Sequence, residues 1–305
     1  GVETLSFADG DIGVSLDGNG LVLTGSDDVD NIEIVGDVAV TVLGGDGADT
    51  LTDGFGDDIV DGGAGDDTII GGAGDDTIDG GEGDDVAIFP GNHSAYTFAS
   101  STDGLTVTVT DAVSGEADTL TGVETLRFAD QDIGVSFDVE SDQLVLTGSD
   151  SVDSLNIVGD VPITVLGVGG SDNLVGGEGA DEIDGGAGDD IIAGGVGDDA
   201  IMGGAGDDDI DGGVDNDFID GGAGDDTITG AGGDDTIDGG AGADVAVYAG
   251  NQSDYTFASS VDGLTVTITE TSTGYVDTVT GVETLSFADG DIGVSLDGNG
   301  LVLTG

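Results

Sequence analysis

The chain has 305 residues, and 66 acidic side chains stand against a single basic one, Arg127, for a formal net charge of −65. One cation cannot neutralise nucleic-acid phosphates, an anionic membrane surface would repel the chain, and no apolar run reaches the 18 residues of a spanning helix. Cysteine is absent, so disulfides and thiolate metal sites are excluded. Of the acids, 56 are Asp and 10 are Glu, while Gly supplies 63 residues. Short carboxylates interleaved with glycine are not the Glu- and Lys-rich composition of disordered tails. They point to a hard cation as the missing counter-charge.

Residues 1–24 read as the end of a preceding β module, because GVETLSFADGDIGVSLDGNGLVLTG at 1–25 recurs unchanged at 281–305. The chain is therefore expected to be a window on a longer tandem array, repeating from position 1 to position 281 with a 280-residue period. Residues 25–43 are a lead-in or cap coil, with Asp30 and Ile32 in register with the nonapeptides after it. Residues 44–88 are five nonapeptides, GGDGADTLT, DGFGDDIVD, GGAGDDTII, GGAGDDTID and GGEGDDVAI. Residues 89–147 alternate, with Leu105, Val107 and Val109 set against Thr106, Thr108 and Thr110 after an Asp103–Gly104 turn, which predicts an antiparallel β module. Residues 148–166 repeat the lead-in, with Asp153 and Leu155 in register. Residues 167–247 are nine further nonapeptides, and 248–305 form a second antiparallel module running into the next repeat. No stretch carries a helical period, and the two prolines, Pro90 and Pro162, sit at segment edges. The fold class is all-β.

Position six of the nonapeptide is Asp in all fourteen copies, and position eight is apolar in all fourteen. Glycines at positions one, two and four allow a sharp six-residue turn. The last three residues make a minimal strand with position eight inward. Two nonapeptides close one flattened coil, so Asp67 is expected above Asp49 and Asp208 above Asp190, about 4.8 Å apart. Carboxylates at that spacing repel by about 0.8 kcal/mol even in bulk water. A bridging Ca²⁺ reverses the sign, since it takes 6–8 oxygen ligands in flexible geometry. Mg²⁺ demands stricter octahedral geometry, and Zn²⁺ would want His or Cys, of which only His93 is present. The inward row of the second run holds nine side chains, a thin core against the backbone entropy of 81 residues. Folding is expected to be coupled to ion binding.

The pattern GGxGxDxUx resembles the RTX (repeats-in-toxin, haemolysin-type) calcium-binding nonapeptide, a parallel β-helix repeat. The resemblance implies two Ca-bound parallel β-rolls (β-solenoids) alternating with the antiparallel β-strand modules. It implies Ca²⁺ ligands at Asp49, Asp58, Asp67, Asp76 and Asp85 in the first roll. In the second roll they are Asp172, Asp181, Asp190, Asp199, Asp208, Asp217, Asp226, Asp235 and Asp244. Pairing residues eighteen apart gives about ten ions; Asp30–Asp49 and Asp153–Asp172, nineteen apart, raise the total to twelve. Backbone carbonyls are implied at Gly44, Gly45, Gly47, Gly62, Gly63, Gly65, Gly71, Gly72 and Gly74. In the second roll they are implied at Gly185, Gly186, Gly188, Gly194, Gly195, Gly197, Gly203, Gly204, Gly206, Gly221, Gly222 and Gly224. Four turns depart from the pattern: Asp53 replaces the first Gly, Val168 and Ala231 the second, and Asp215 the fourth. Sites at those turns are expected to bind more weakly.

Position-five acids such as Asp57, Asp66 and Asp189 are read as solvated. His93, whose sister is Gln252, reads as a polar turn residue, and Arg127 as a partner of Glu124 or Asp130. Tyr96, Phe98, Tyr255 and Phe257 alternate as core strand residues do. No Ser/His/Asp set, HExxH or phosphate loop is present, so no enzyme is expected. A glycosidase pair has nothing to single it out among 66 acids.

The resemblance implies type I export, folding at millimolar extracellular Ca²⁺, and a rigid rod or fibre at or outside the cell surface, as adhesin, surface layer or matrix. The expected partners are Ca²⁺ and further copies of the chain, with no nucleic acid and no membrane insertion. The alternative is a C-terminal secretion and folding module behind an enzyme or toxin. A mineral- or ice-binding role ranks lower, since Ile59 and Asn173 interrupt the row of Thr50, Thr68 and Thr77.

Overall fold

The computed structural model describes residues 4–6, 11–16, 20–102, 104–138, 141, 143–260, 265–297 and 300–305. Parts of the 1–24 segment, and Asp103 of the Asp103–Gly104 turn, lie outside them. The chain divides into two compact units, Gly1–Leu146 and Thr147–Gly305. Among the described residues there are only strands and two short 3-10 turns, His93–Ala95 and Gln252–Asp254. None is a helix long and apolar enough to cross a membrane.

In the first unit, strands stack in two parallel ladders. One runs Leu21–Thr24, Val40–Asp46, Ile59–Ala64, Thr77–Glu82 and Ala117–Thr121. The other runs Asn31–Glu33, Thr50–Thr52, Thr68–Ile70, Val86–Ile88 and Thr125–Arg127. Within the nonapeptides the register is eighteen residues, as in Thr41↔Ile59↔Thr77 and Thr50↔Thr68↔Val86. One coil is thus two nonapeptides, and each coil places one position-eight residue in each ladder. Leu51, Val60, Ile69, Ile78 and Ala87 are all buried. The 25–43 lead-in is itself a coil, with Ile32 and Val42 buried in the same two rows.

The second unit repeats this design with more coils. One ladder runs from Ile163–Leu166 through Glu182–Ala187, Ala200–Ala205, Phe218–Ala223 and Thr236–Asp238 to Val276–Thr280. The other runs from Ser154–Asn156 through Asn173–Gly177, Ile191–Val196, Asp209–Val214, Thr227–Gly232 and Val245–Tyr248 to Thr284–Phe287. Its row from Leu174 to Ala246 is buried throughout, continued at the lead-in by Leu155 and Val165.

The antiparallel expectation for 89–147 and 248–305 holds for part of each segment. Tyr96–Ser100, Thr106–Asp111 and Ala117–Thr121 form an antiparallel meander, as do Tyr255–Ser259, Val266–Glu270 and Val276–Thr280. The last strand of each meander also pairs in parallel with the roll, as does the following strand that carries the GVETL text. A roll therefore continues for one more coil after the hairpin excursion, beyond the nonapeptide text. Phe89, Tyr96, Phe98 and Phe128 pack ring on ring in the first module, and Tyr248, Tyr255, Phe257 and Phe287 repeat the arrangement in the second. Tyr96 and Phe98 are buried; Tyr255 and Phe257 are half-buried.

Candidate metal centre

Each position-six Asp sits where the glycine turn gives way to the strand. Its Oδ1 accepts the peptide N–H of the residue one coil earlier, which strings the carboxylates into rows. In the first roll, Asp49 N donates to Asp67 Oδ1 at 2.7 Å and Asp67 N to Asp85 Oδ1 at 2.7 Å. On the other edge, Val40 N donates to Asp58 and Asp58 N to Asp76. The second roll strings Asp172, Asp190, Asp208, Asp226 and Asp244 on one edge. Ile163, Asp181, Asp199, Asp217 and Asp235 line up on the other.

The other oxygen of each carboxylate is the informative one. Oδ2 of all fourteen position-six Asp residues is buried without a hydrogen-bond partner, and none of these side chains is more than 3% exposed. A buried anion with an orphaned oxygen is costly. Desolvation, with nearby carboxylates adding to it, pushes thirteen of these groups up against the lowering effect of the peptide N–H. Asp76, Asp181 and Asp217 reach about 7, and Asp67, Asp172, Asp199, Asp208 and Asp244 about 6. Asp49, Asp85, Asp190, Asp226 and Asp235 are raised for the same leading reason.

A backbone oxygen converges on the same place. A Cβ on Gly203 would meet Asp208 Oδ2 at 2.5 Å and the Gly221 carbonyl oxygen at 2.6 Å; one on Gly221 would meet Asp226 Oδ2 at 2.6 Å and the Gly239 carbonyl at 2.7 Å. Gly44, Gly62, Gly185 and Gly194 are hemmed in by the same pair of oxygens, and Gly71 by Asp76 Oδ2. Only glycine leaves this cradle open at position one. Carboxylate and carbonyl oxygens in a cradle closed to side chains suit a hard cation that accepts variable oxygen geometry, as Ca²⁺ does. The residues present fit that ion, which would supply charge neutralisation and a bridge between coils.

The predicted carbonyls divide by position. Those of position one lie beside Oδ2. Positions two and four stack on their own kind: a Cβ on Gly63 would strike the Gly45 carbonyl, and one on Gly65 the Gly47 carbonyl. Their φ values of 104° and 132° are open to glycine.

The lead-in acids join the rows despite the nineteen-residue spacing. Asp30 N donates to Asp49 Oδ1 at 2.7 Å, and Asp153 N to Asp172 Oδ1 at 2.8 Å. Their own Oδ2 atoms accept the N–H of Ser26 at 2.6 Å and of Ser149 at 2.7 Å. Serine at position two thus satisfies an oxygen that the following turns leave orphaned, so these two residues act as caps as well as candidate ligands.

Four acids that sequence reasoning missed close the other end. Asp76 N donates to Asp118 Oδ1, and Asp85 N to Glu124 Oε2 at 2.8 Å. In the second roll, Asp235 N donates to Asp277 Oδ1 and Asp244 N to Glu283 Oε2 at 2.9 Å. Glu124 and Glu283 are the acids of the GVETL text. The signal was present: Asp118–Leu120, Glu124–Leu126, Asp277–Val279 and Glu283–Leu285 all keep the acid–x–apolar spacing of positions six and eight.

Position-five acids are exposed, as expected for solvated groups. They also bond from coil to coil: Asp75 N donates to Asp57 Oδ1, and Asp207 N to Asp189 Oδ1 at 3.0 Å. His93 is a buried turn residue. Its peptide N–H and its Nδ1 each meet an oxygen of Asp130 at 3.0 Å, while its sister Gln252 donates its peptide N–H to Asp289. Arg127 pairs with Asp132, not with Glu124 or Asp130. Its Nε and Nη2 donate to the carboxylate at 3.0 and 2.9 Å, because Arg127 and Asp132 face one another across an antiparallel pair.

The RTX calcium-binding nonapeptide repeat (4 copies) matches residues 41–69, 52–87, 166–201, 192–219 and 211–246. No curated protein matches the chain. Among solved structures the chain is similar to extracellular lipase LipA from Serratia marcescens, at 20% identity and a TM-score of 0.30. That match covers 81% of this chain and 38% of the lipase, so the chain spans well under half of the lipase's length.

Proposed function

We propose, from the premise that this chain is built on RTX calcium-binding nonapeptide repeats, that it is a structural segment of a long secreted bacterial protein. It folds on extracellular Ca²⁺ into stiff β-rolls and serves in a rod or fibre with an adhesive, surface-layer or matrix role. The observation that carries the calcium-dependent part is the row of fourteen buried, unpartnered Oδ2 atoms. At neutral pH such a row is poorly tolerated unless a cation fills it. About ten Ca²⁺ ions, shared between position-six carboxylates of successive coils, would lower the formal charge from −65 to about −45.

The tandem part of the reading rests on the unchanged recurrence of residues 1–25 at 281–305. A mechanical spacer tolerates and uses identical copies, and the partners are then Ca²⁺ and further copies of the chain. No catalytic role is proposed, and export by a type I system is the route that the repeats favour.

Far-UV circular dichroism of the chain in Ca²⁺ and then in EGTA tests the coupling. We expect β signal with Ca²⁺ and its loss on chelation; an unchanged spectrum would sink the coupled-folding reading. The adjoining coding sequence tests the array. Further 280-residue copies support it, and an adjoining catalytic domain would favour a secretion and folding module instead.

A further inference from the structure

Thirteen of the fourteen nonapeptides have glycine at position one; the second has Asp53. The sequence suggests a weakened turn there, but the structure puts the side chain to use. Asp53 puts a carboxylate where the other turns carry no side chain. One carboxylate oxygen from each of Asp53, Asp58 and Asp76 lies within 4.8 Å of the others. Asp58 is the position-six residue of the same turn, and Asp76 is its counterpart one coil on. All three side chains are buried, and Asp53 is only 4% exposed. Neither Asp53 oxygen has a hydrogen-bond partner, nor does Oδ2 of Asp58 or of Asp76. A buried acid with both oxygens unpartnered thus lies against two carboxylates that each carry an unpartnered oxygen, an arrangement that a cation between them would satisfy.

We propose that Asp53, Asp58 and Asp76 form a three-carboxylate Ca²⁺ site, the tightest of the two rolls and the first to fill. The proposal rests on the reading that the rolls bind calcium, and it adds a ligand that the nonapeptide pattern does not contain. Ligand charge is a principal control on Ca²⁺ affinity in oxygen cages. The cradle's paired position-six Asp residues bring two carboxylates to a site, and Asp53 adds a third. Three carboxylates that repel one another when the site is empty gain more from the ion than two.

The test is competition between the full chain and a chromophoric calcium chelator at pH 7.5, comparing wild type, Asp53→Gly and Asp53→Asn. Asp53→Gly restores the residue of the other thirteen turns, so the coil keeps its geometry, and circular dichroism at saturating Ca²⁺ verifies it. We expect the tightest class of site to weaken by about tenfold or more in Asp53→Gly, with the number of ions bound unchanged. Asp53→Asn, which keeps an oxygen but removes a charge, should fall between. An unchanged or tightened first class in Asp53→Gly overturns the proposal while leaving the roll reading intact. A wild-type chain that binds no Ca²⁺ at all overturns both.

Discussion

The two rolls share one register but depart from it at different turn positions. The first has five nonapeptides and one foreign residue, Asp53 at position one. The second has nine, with Val168 and Ala231 at position two and Asp215 at position four. The position-one change alters the chemistry of the cradle, because that position faces Oδ2. Changes at positions two and four alter the backbone: Val168, Asp215 and Ala231 are held at φ 78°, 80° and 67°, in the left-handed region. A turn position thus specifies whether a substitution acts through charge or through strain. The shorter roll has the added charge, and the longer one, with more coils to share the cost, has the strained residues.

The sharpest break of that comparison comes from removing a mid-row carboxylate. Asp67→Ala takes away the partner of both Asp49 and Asp85, two of the three complete pairs in the first roll. Asp208→Ala takes away two of the seven in the second. Each variant also leaves a buried peptide N–H unsatisfied, at about 1–3 kcal/mol. Hydrogen exchange at one fixed Ca²⁺ concentration should show the first roll open throughout in Asp67→Ala. In Asp208→Ala most coils of the second roll should stay protected, as nearest-neighbour stability in a solenoid implies. Equal loss of protection in the two rolls would contradict the length argument.

Next comes pH in calcium-free buffer. The position-six carboxyls that burial raises bind protons more tightly folded than unfolded, so the stability they contribute is fully present below their ordinary value of 3.8. It is lost as pH rises through about 6 to 7, the range of Asp67, Asp76, Asp181 and Asp217. Acid should therefore substitute in part for Ca²⁺, with β signal growing as pH falls towards that ordinary value. Asp53, at about 8, extends the loss to higher pH in the first roll alone. Calcium-free β signal that is flat, or that rises with pH, would rule out the carboxylate rows as the source of instability.

A smaller effect is expected from relieving backbone strain. Val168→Gly and Ala231→Gly should each stabilise the second roll by about 1 kcal/mol, read as the midpoint of denaturant unfolding at fixed Ca²⁺. Asp215→Gly should give less, since Asp tolerates this region better. The smallest effect belongs to Arg127→Ser. The pair with Asp132 is exposed on both sides and contributes at most about 1 kcal/mol. In the second module the same place is filled by Ser286, whose Oγ donates to Asp291 at 2.9 Å. A large loss of stability in Arg127→Ser would mean that the two modules are not equivalent.

Much of the candidate site was legible because it is written by translation. A nine-residue text that repeats in phase carries each Asp onto the next, and the apolar residue two places on marks the inward row. That reasoning places Asp49, Asp67 and Asp85 in one line without any knowledge of distant contacts. It fails where the period is interrupted. Arg127 illustrates this: its nearest acids along the chain suggested Glu124 or Asp130, but strand pairing presents Asp132.

The sequence by itself determined the coil, the eighteen-residue register, the inward row and the position-six carboxylates, because each depends only on residues within one repeat and its neighbour. Only long-range folding decided how the rows end and which side chains meet at Asp53. Asp118 and Glu124 reach their places across gaps of 42 and 39 residues, after a hairpin excursion whose return no local period encodes. Asp53 changes from a defect in a pattern to a third carboxylate once its neighbours are known. Parallel stacking brings Asp58 and Asp76 against it and excludes water from all three.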